Sequence, residues 1–233
     1  MCSGLPSTPP TTVVNAAIAA ADGVEAVAAQ ALRALSVIAG SGNVGRGVVK
    51  LGYSWEGLGV WKFQDKASLS HAIDCALGCT VGGSEECCFV QGWVEACLEI
   101  RFFVVEGVVR HMAYTAANTL QTDVFLVQSL TKAQAAAGCG GDDVLAAAEQ
   151  LAAATIQDLL AWMARVDSSC VPVPFVRFDF LVSRQDNDVP QIHLIEVTEP
   201  GAMLFEWHDG TAIVHDAVAK AITALAHKTQ IND

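Results

Sequence analysis

Asp179 and Glu196 lie in two segments of alternating apolar and polar residues, Phe175-Val176-Arg177-Phe178-Asp179-Phe180-Leu181-Val182 and Gln191-Ile192-His193-Leu194-Ile195-Glu196-Val197-Thr198. Alternation of this kind predicts two strands, and the Asp, Asn and Pro residues between Ser183 and Pro190 predict the turn of a hairpin. On paired strands the two carboxylates can face one side, where they repel each other and call for a compensating cation. Mg²⁺ held by oxygen ligands against phosphates is the common one. The plain alternative is that both side chains point to water.

A second stretch able to do chemistry is Gly47-Val48-Val49-Lys50-Leu51, followed by a loop containing Gly52, Gly57 and Gly59 and then by Val60-Trp61-Lys62-Phe63. This predicts a strand, a glycine-rich tip and a returning strand. Glycines let backbone N–H groups approach an anion closely, and Lys50 adds a point charge for phosphate oxygens. Gly-rich hairpin turns are common, so a bland turn stays open. Glu99 and Arg101, two apart on a predicted strand, share one face; an exposed alternating pair of charges is the simple account of them.

The rest of the chain must position these groups. At 233 residues it has room for one large domain or two small ones, and 52% apolar with only 16% charged residues predicts a folded chain with a substantial core. The net charge of −12, with 13 Lys and Arg spread thinly, argues against nucleic acid as a partner but leaves room for a nucleotide. No signal peptide is readable, and the longest apolar candidate near the N-terminus is broken by Asn15, Asp22, Glu25, Gln30 and Arg33. The expectation is a cytoplasmic protein with no membrane partner. The eight cysteines lack paired Cys-x-x-Cys knuckles and are expected as reduced thiols, mostly buried, with a metal site among Cys75, Cys79, Cys87 and Cys88 as the alternative.

In order, residues 1–12 read as a flexible Pro-rich tail and residues 13–38 as one or two Ala-rich helices, broken at Asp22-Gly23. A helix is predicted over 66–77 with Asp65 or Ser68 as its cap, then strands over 87–94 and 98–105. The second of these pairs with 108–114 through a turn at Glu106-Gly107. A short helix near 131–137 and a long one over 144–166 precede the Asp179–Glu196 hairpin, and a last helix ends near His227. His193, between apolar neighbours, reads as a satisfied strand residue.

The order of lysine strand, glycine loop, helix, Gln91-Gly92-Trp93-Val94 segment, Glu99-x-Arg101 strand, long helix and Arg177-x-Asp179 strand paired with Glu196-x-Thr198 resembles the ATP-grasp family over about residues 45 to 205. The resemblance implies an α+β fold in which two subdomains with antiparallel sheets enclose a nucleotide cleft. It places an N-terminal subdomain at 13–88, with the lysine strand and glycine loop, and a C-terminal subdomain at 89–233, with the metal-binding hairpin. It implies ATP and Mg²⁺ as cofactors. Lys50 would contact the phosphates, and the loop carrying Gly57 and Gly59 would close over them. The backbone of Val90 to Val94 would read the adenine edge, Gln91 included, with Trp93 and Val94 in the adenine slot. Glu99 would bind ribose hydroxyls and Arg101 phosphate. Arg177 would neutralise the transferring phosphoryl group, and Asp179, Glu196 and Thr198 would hold the metal.

The chain departs from the family pattern in several places. Thr198 stands where Asn is usual, Gln91 where Glu is common, and no lysine precedes Lys50. Few residues precede it at all, so the separate substrate domain of the family is not expected, although Arg33 or Arg46 can partly replace the earlier cation. The segment Pro200 to Trp207 is similar to the ending of eukaryotic ATP-grasp proteins that assist translation-factor assembly.

The first implied function is an ATP-dependent carboxylate–amine or carboxylate–thiol ligase working through an acylphosphate, its carboxylate or protein acceptor unknown. The second is a non-catalytic nucleotide-binding module acting as an assembly chaperone or interaction domain. The third is a structural domain without nucleotide. The apolar N-terminal helix also offers a face for a homodimer.

Overall fold

A computed structural model describes residues 8–40, 44–51, 59–79, 87–120, 127–166, 175–184, 189–198 and 208–230. Among them the chain forms nine strands and six helices. It divides into two compact units, Met1–Glu95 with Asn118–Leu126, and Ala96–Ala117 with Val127–Asp233.

In the first unit β1 (Thr11–Asn15), β4 (Cys87–Gly92), β2 (Gly47–Leu51) and β3 (Val60–Phe63) form an antiparallel sheet in that order. Thr11 and Thr12 therefore belong to a strand, not to a tail, and the first residues predicted helical, Val13 to Asn15, are strand as well. Their β-branched run Thr-Thr-Val-Val becomes a strand because β4 offers it a pairing edge, Thr11 opposite Gln91 through Asn15 opposite Cys87. Asn15 then caps α1 (Ala16–Asp22), its Oδ1 accepting from the Ala17 N–H at 2.7 Å. Gly23, at φ 84, breaks the chain between α1 and α2 (Val24–Ala39) where Asp22-Gly23 predicted it. The helix α3 (Lys66–Gly78) starts from a reciprocal capping box of Asp65 and Ser68.

One face of this sheet is the core of the unit. Val14, Val49, Phe63, Cys88 and Val90 pack there on Val27, Ala31 and Leu35 of α2 and Leu69, Ile73 and Ala76 of α3. Gly47 makes room for this packing: a Cβ there would strike the Phe63 ring and the backbone carbonyl of Gln91. The strand predicted over 87–94 ends at Gly92 and lies wholly in the first unit.

In the second unit β7 (Ser129–Leu130), β6 (Val108–Ala116), β5 (Leu98–Val105), β8 (Phe175–Arg184) and β9 (Pro190–Thr198) form a second antiparallel sheet in that order. The β5–β6 turn has both Glu106 (φ 51) and Gly107 (φ 77) in the left-handed region, which matches the twist of a two-residue hairpin. The helices α4 (Lys132–Cys139) and α5 (Asp142–Val166) cover one face, where the Tyr114 hydroxyl donates to Glu149 of α5 at 2.6 Å. On the opposite face Phe103, Val105, Ala113 and Phe175 pack on Val214 and Ala221 of α6 (His208–Gln230).

Against the expectation that no segment qualifies, α5 is long and apolar enough to cross a membrane by length and composition alone. Its Leu145, Ala148, Ala152, Ile156 and Leu159 form a buried stripe, as in the core helix of a globular unit. The six described cysteines are all free.

Candidate functional site

The hairpin β8–β9 sets Asp179 directly opposite Glu196 and Arg177 opposite Thr198. The register shifts after Asp179, so that Phe180 pairs with Leu194. Across β5 the register continues, Arg101 opposite Asp179 and Phe103 opposite Arg177. Ala113, Arg101, Asp179 and Glu196 thus stand in one row across four strands. Alternation along each strand puts Glu99 and Arg177 on the same face.

These side chains form a ladder of alternating charge. Glu99 Oε1 accepts from Arg101 Nε at 2.7 Å, and Arg101 Nε lies 4.0 Å from Asp179 Oδ2. Asp179 receives both Nε and Nη2 of Arg177 at 2.7 Å, a bidentate pair, and Nη2 lies 3.7 Å from Glu196 Oε2. Asp179 is 0% exposed, Arg177 4% and Glu99 and Arg101 7% each, while the Glu196 side chain is 43% exposed. Glu99 and Arg101 are therefore a buried pair, not an exposed alternation of charges.

Burial is the largest influence on Asp179 and raises its pKa, opposed first by Arg177 and then by Arg101. For Arg101 desolvation is the largest single influence and acts downward, yet the carboxylates of Glu99 and Asp179 together outweigh it and hold the guanidinium raised. Burial also lowers His193, whose Nε2 lies 2.9 Å from Ser183 Oγ. Partnered across the hairpin, it is the satisfied strand residue expected.

Two adjacent carboxylates do need a compensating cation, and Arg177 is the one at hand. A divalent ion needs carboxylate oxygens to spare. Both Asp179 oxygens are taken by Arg177, and no group of three or more His, Cys, Asp or Glu suited to a metal occurs among the described residues. As placed, Asp179 is neutralised by Arg177, and a metal role for Asp179, Glu196 and Thr198 rests on the resemblance alone.

In the first unit Lys50 stands on β2 opposite Val60 and Phe89, half-buried, on the face away from α2 and α3. Lys62 shares that face, donating to the Thr119 carbonyl at 2.6 Å with its Nζ 6.0 Å from the Trp93 ring centroid. Gly59, at φ 77, accepts the Leu51 N–H at 3.0 Å and closes the glycine loop at its base. Gly57 lies outside the described residues, as do the rest of the loop tip and the segment Pro200 to Trp207.

The segment expected to read an adenine edge is partly committed already. Gln91 Nε2 donates to Thr11 Oγ1 at 2.9 Å, the Gly92 N–H to Pro10 O at 2.8 Å and the Trp93 N–H to Arg46 O at 3.0 Å. Val94 is half-buried beyond them. Trp93, Val44, Gly45, Arg46 and Gln64 line a pocket of about 440 Å³ in this unit.

Sequence reasoning missed Thr115, which is 1% exposed and donates to Glu99 Oε2 at 3.2 Å from the opposite position on β6. The available signal was a hydroxyl on the same strand face as the apolar Ala113. It missed also that Arg177-x-Asp179, two apart on one face, is spaced to pair internally.

No family model and no curated protein matches the sequence. Among solved structures the chain is similar to a D-cycloserine synthetase, DcsG, with a TM-score of 0.58 and 18% identity over 94% of this chain and 67% of that one. It is similar to the D-alanine–D-alanine ligase of Coxiella burnetii, TM-score 0.53 and 11% identity over 98% and 56%, and to that of Bacillus anthracis, 0.52 and 11% over 96% and 64%. The chain spans about two thirds or less of these proteins' lengths. At such identities the likeness shows the fold, an α+β ATP-grasp fold with two antiparallel sheets, as the residue order implied.

Proposed function

From an ATP-grasp fold as premise, we propose that the protein binds ATP and uses it to ligate a carboxylate to an amine or thiol. The carrying observation is the pair of buried guanidiniums, Arg101 and Arg177, fixed on one face of the second sheet by Glu99 and Asp179. Fixed cations that need no reorganisation during reaction are what transfer of a phosphoryl group requires, since its charge spreads over the equatorial oxygens.

In this reading a carboxylate oxygen of the acceptor attacks the γ-phosphorus, the bond from that phosphorus to the ADP oxygen breaks, and an acylphosphate forms. The amine or thiol then attacks the acyl carbon and phosphate leaves, taking the bonding electron pair. The protein supplies orientation and charge neutralisation, with no covalent protein intermediate. Arg177 is assigned to the transferring group, Arg101 and Lys50 to phosphate oxygens, and Gly59 to the base of the loop that covers them. Trp93, with Val94, is assigned to the base of the nucleotide, as the resemblance implies.

The test is ADP release from ATP, with Mg²⁺ present, against pooled amino acids, small carboxylates and thiols. Release that depends on an acceptor and is lost in Lys50→Ala is the expected result. Tight ATP binding with no turnover against any acceptor would replace the ligase with a nucleotide-binding module, and absence of ATP binding would overturn both.

A further inference from the structure

The residue just before β5 and the last residue of α4 are both cysteines, and the end of β8 brings them together. Cys97 is tied to Val182, its N–H donating to the Val182 carbonyl at 2.8 Å and its thiol to the same oxygen at 3.2 Å. Arg184 stands two residues further along β8. At Gly140, which follows Cys139 and caps α4 at φ 103, a Cβ would come within 3.0 Å of Arg184 Nη1. The guanidinium thus lies against the backbone beside Cys139. In this corner the Cys97 and Cys139 thiols reach each other as hydrogen-bond partners.

Their surroundings are unequal. Cys139 is 0% exposed, whereas Cys97 is half-buried. Burial raises the Cys97 thiol, and opposing it around that sulfur are its own N–H and that of Leu98, the Arg184 guanidinium and the Cys139 thiol. Cys139 is pushed up to about 11, by burial first and then by the neighbouring Cys97 sulfur, with Glu149 adding to the effect. Of the two, Cys97 is the sulfur that solvent reaches and that ionises first, and Cys139 keeps its proton.

We propose that Cys97 and Cys139 are a redox pair, in which a hydroperoxide oxidises Cys97 and Cys139 then closes an intramolecular disulfide between the start of β5 and the end of α4. The Cys97 thiolate attacks the outer oxygen of the peroxide and the O–O bond breaks. The remaining oxygen leaves with the electron pair and takes up the proton that Cys97 released, as water or an alcohol. Cys97 is then a sulfenic acid. The Cys139 sulfur attacks the Cys97 sulfur, the S–O bond breaks, and hydroxide leaves with the Cys139 proton as water. Packing already sets the two sulfurs side by side, so this second step is intramolecular and outruns further oxidation of Cys97. The pairing is independent of the nucleotide reading.

The experiment treats the reduced full chain, freed of reductant, with hydrogen peroxide, blocks the remaining thiols with N-ethylmaleimide and maps the peptides by mass without reduction. The expected product is a linked Cys97–Cys139 peptide, two hydrogens lighter than the separate thiols and released by dithiothreitol. It should form about tenfold faster for each unit of pH while Cys97 is still mostly protonated, because the thiolate is the nucleophile. Cys139→Ala is expected to stop at a Cys97 sulfenic acid that dimedone traps. Arg184→Gln should slow the linkage by about threefold, the more so at low salt. Recovery of Cys97 and Cys139 as separate blocked peptides after the exposed Cys79 has been oxidised would overturn the proposal, as would links from either to a third cysteine. Where Cys139→Ala fails to fold, Cys97→Ser decides the roles: Cys139 should then stay unoxidised, and a Cys139 that peroxide still attacks overturns the assignment.

Discussion

On the first sheet Lys62 gives its ammonium to a backbone carbonyl, that of Thr119, and Arg46 meets Glu95 at 2.7 Å with both side chains more than half exposed. On the second sheet Arg101 and Arg177 are buried among carboxylates that are buried with them, and the alternating ladder reaches solvent only at Glu196. The desolvation already spent in the second arrangement differs. Exposed cations keep their hydration and change partners at little cost, whereas a buried charge that loses its partner bears the full penalty. The first unit therefore carries charges that change partners at little cost, and the second sheet holds its charges in a fixed geometry.

Removing one rung of the ladder is the most direct way to break this contrast. Arg177→Met strips buried Asp179 of its bidentate partner and leaves it only the more distant Arg101, and denaturant unfolding should show a loss of about 3 kcal/mol. The double change Arg177→Met with Asp179→Leu should recover most of it. A single-variant loss as small as that of an exposed pair would abolish the distinction between the sheets.

On the first sheet the sensitive position is not a charge at all. Gly47→Ala drives a Cβ into the Gln91 carbonyl and the Phe63 ring, and overpacking of this kind costs about 1–3 kcal/mol by thermal or denaturant unfolding. By contrast, Arg46→Ala should change stability by about 1 kcal/mol or less, and raised salt should shrink even that.

The buried thiols sharpen the comparison through pH. Burial pushes Cys88, in the first unit, from 9.0 up to about 12, and burial first, then Cys97, pushes Cys139, in the second, up to about 11. A raised folded-state value means the native chain keeps its proton after the unfolded chain has lost it. The contribution is fully present below about pH 9 and is lost as pH rises towards 11 for Cys139 and 12 for Cys88. Alkylation at pH 8 followed by mass mapping should mark the exposed Cys79 well before Cys88 or Cys139; equal labelling would mean that these thiols are open to reagent.

Much of the architecture was legible because local signals agreed. The alternation in residues 175–182 and 191–198, the Glu106-Gly107 turn, the Asp65 cap and the glycines around β2 and β3 each carry their own cause in adjacent residues. The strand β1 was not legible, since five residues after a proline pair become a strand only when β4 lies beside them. Nor was the use made of polar groups: Gln91 spent on Thr11 and Glu99 on Thr115 depend on partners distant in sequence.

The amino-acid order by itself determined which carboxylates and cations share a strand face, because a period of two is a property of the extended backbone. It determined too that adjacent acids would need a positive neighbour. Only the tertiary structure decided which cation answers that need and whether the pair sees water. Register between strands places Arg101 and Glu196 opposite Asp179, the Arg177 fork two residues along β8 closes on that carboxylate, and the packing over that face removes the solvent that would otherwise have served.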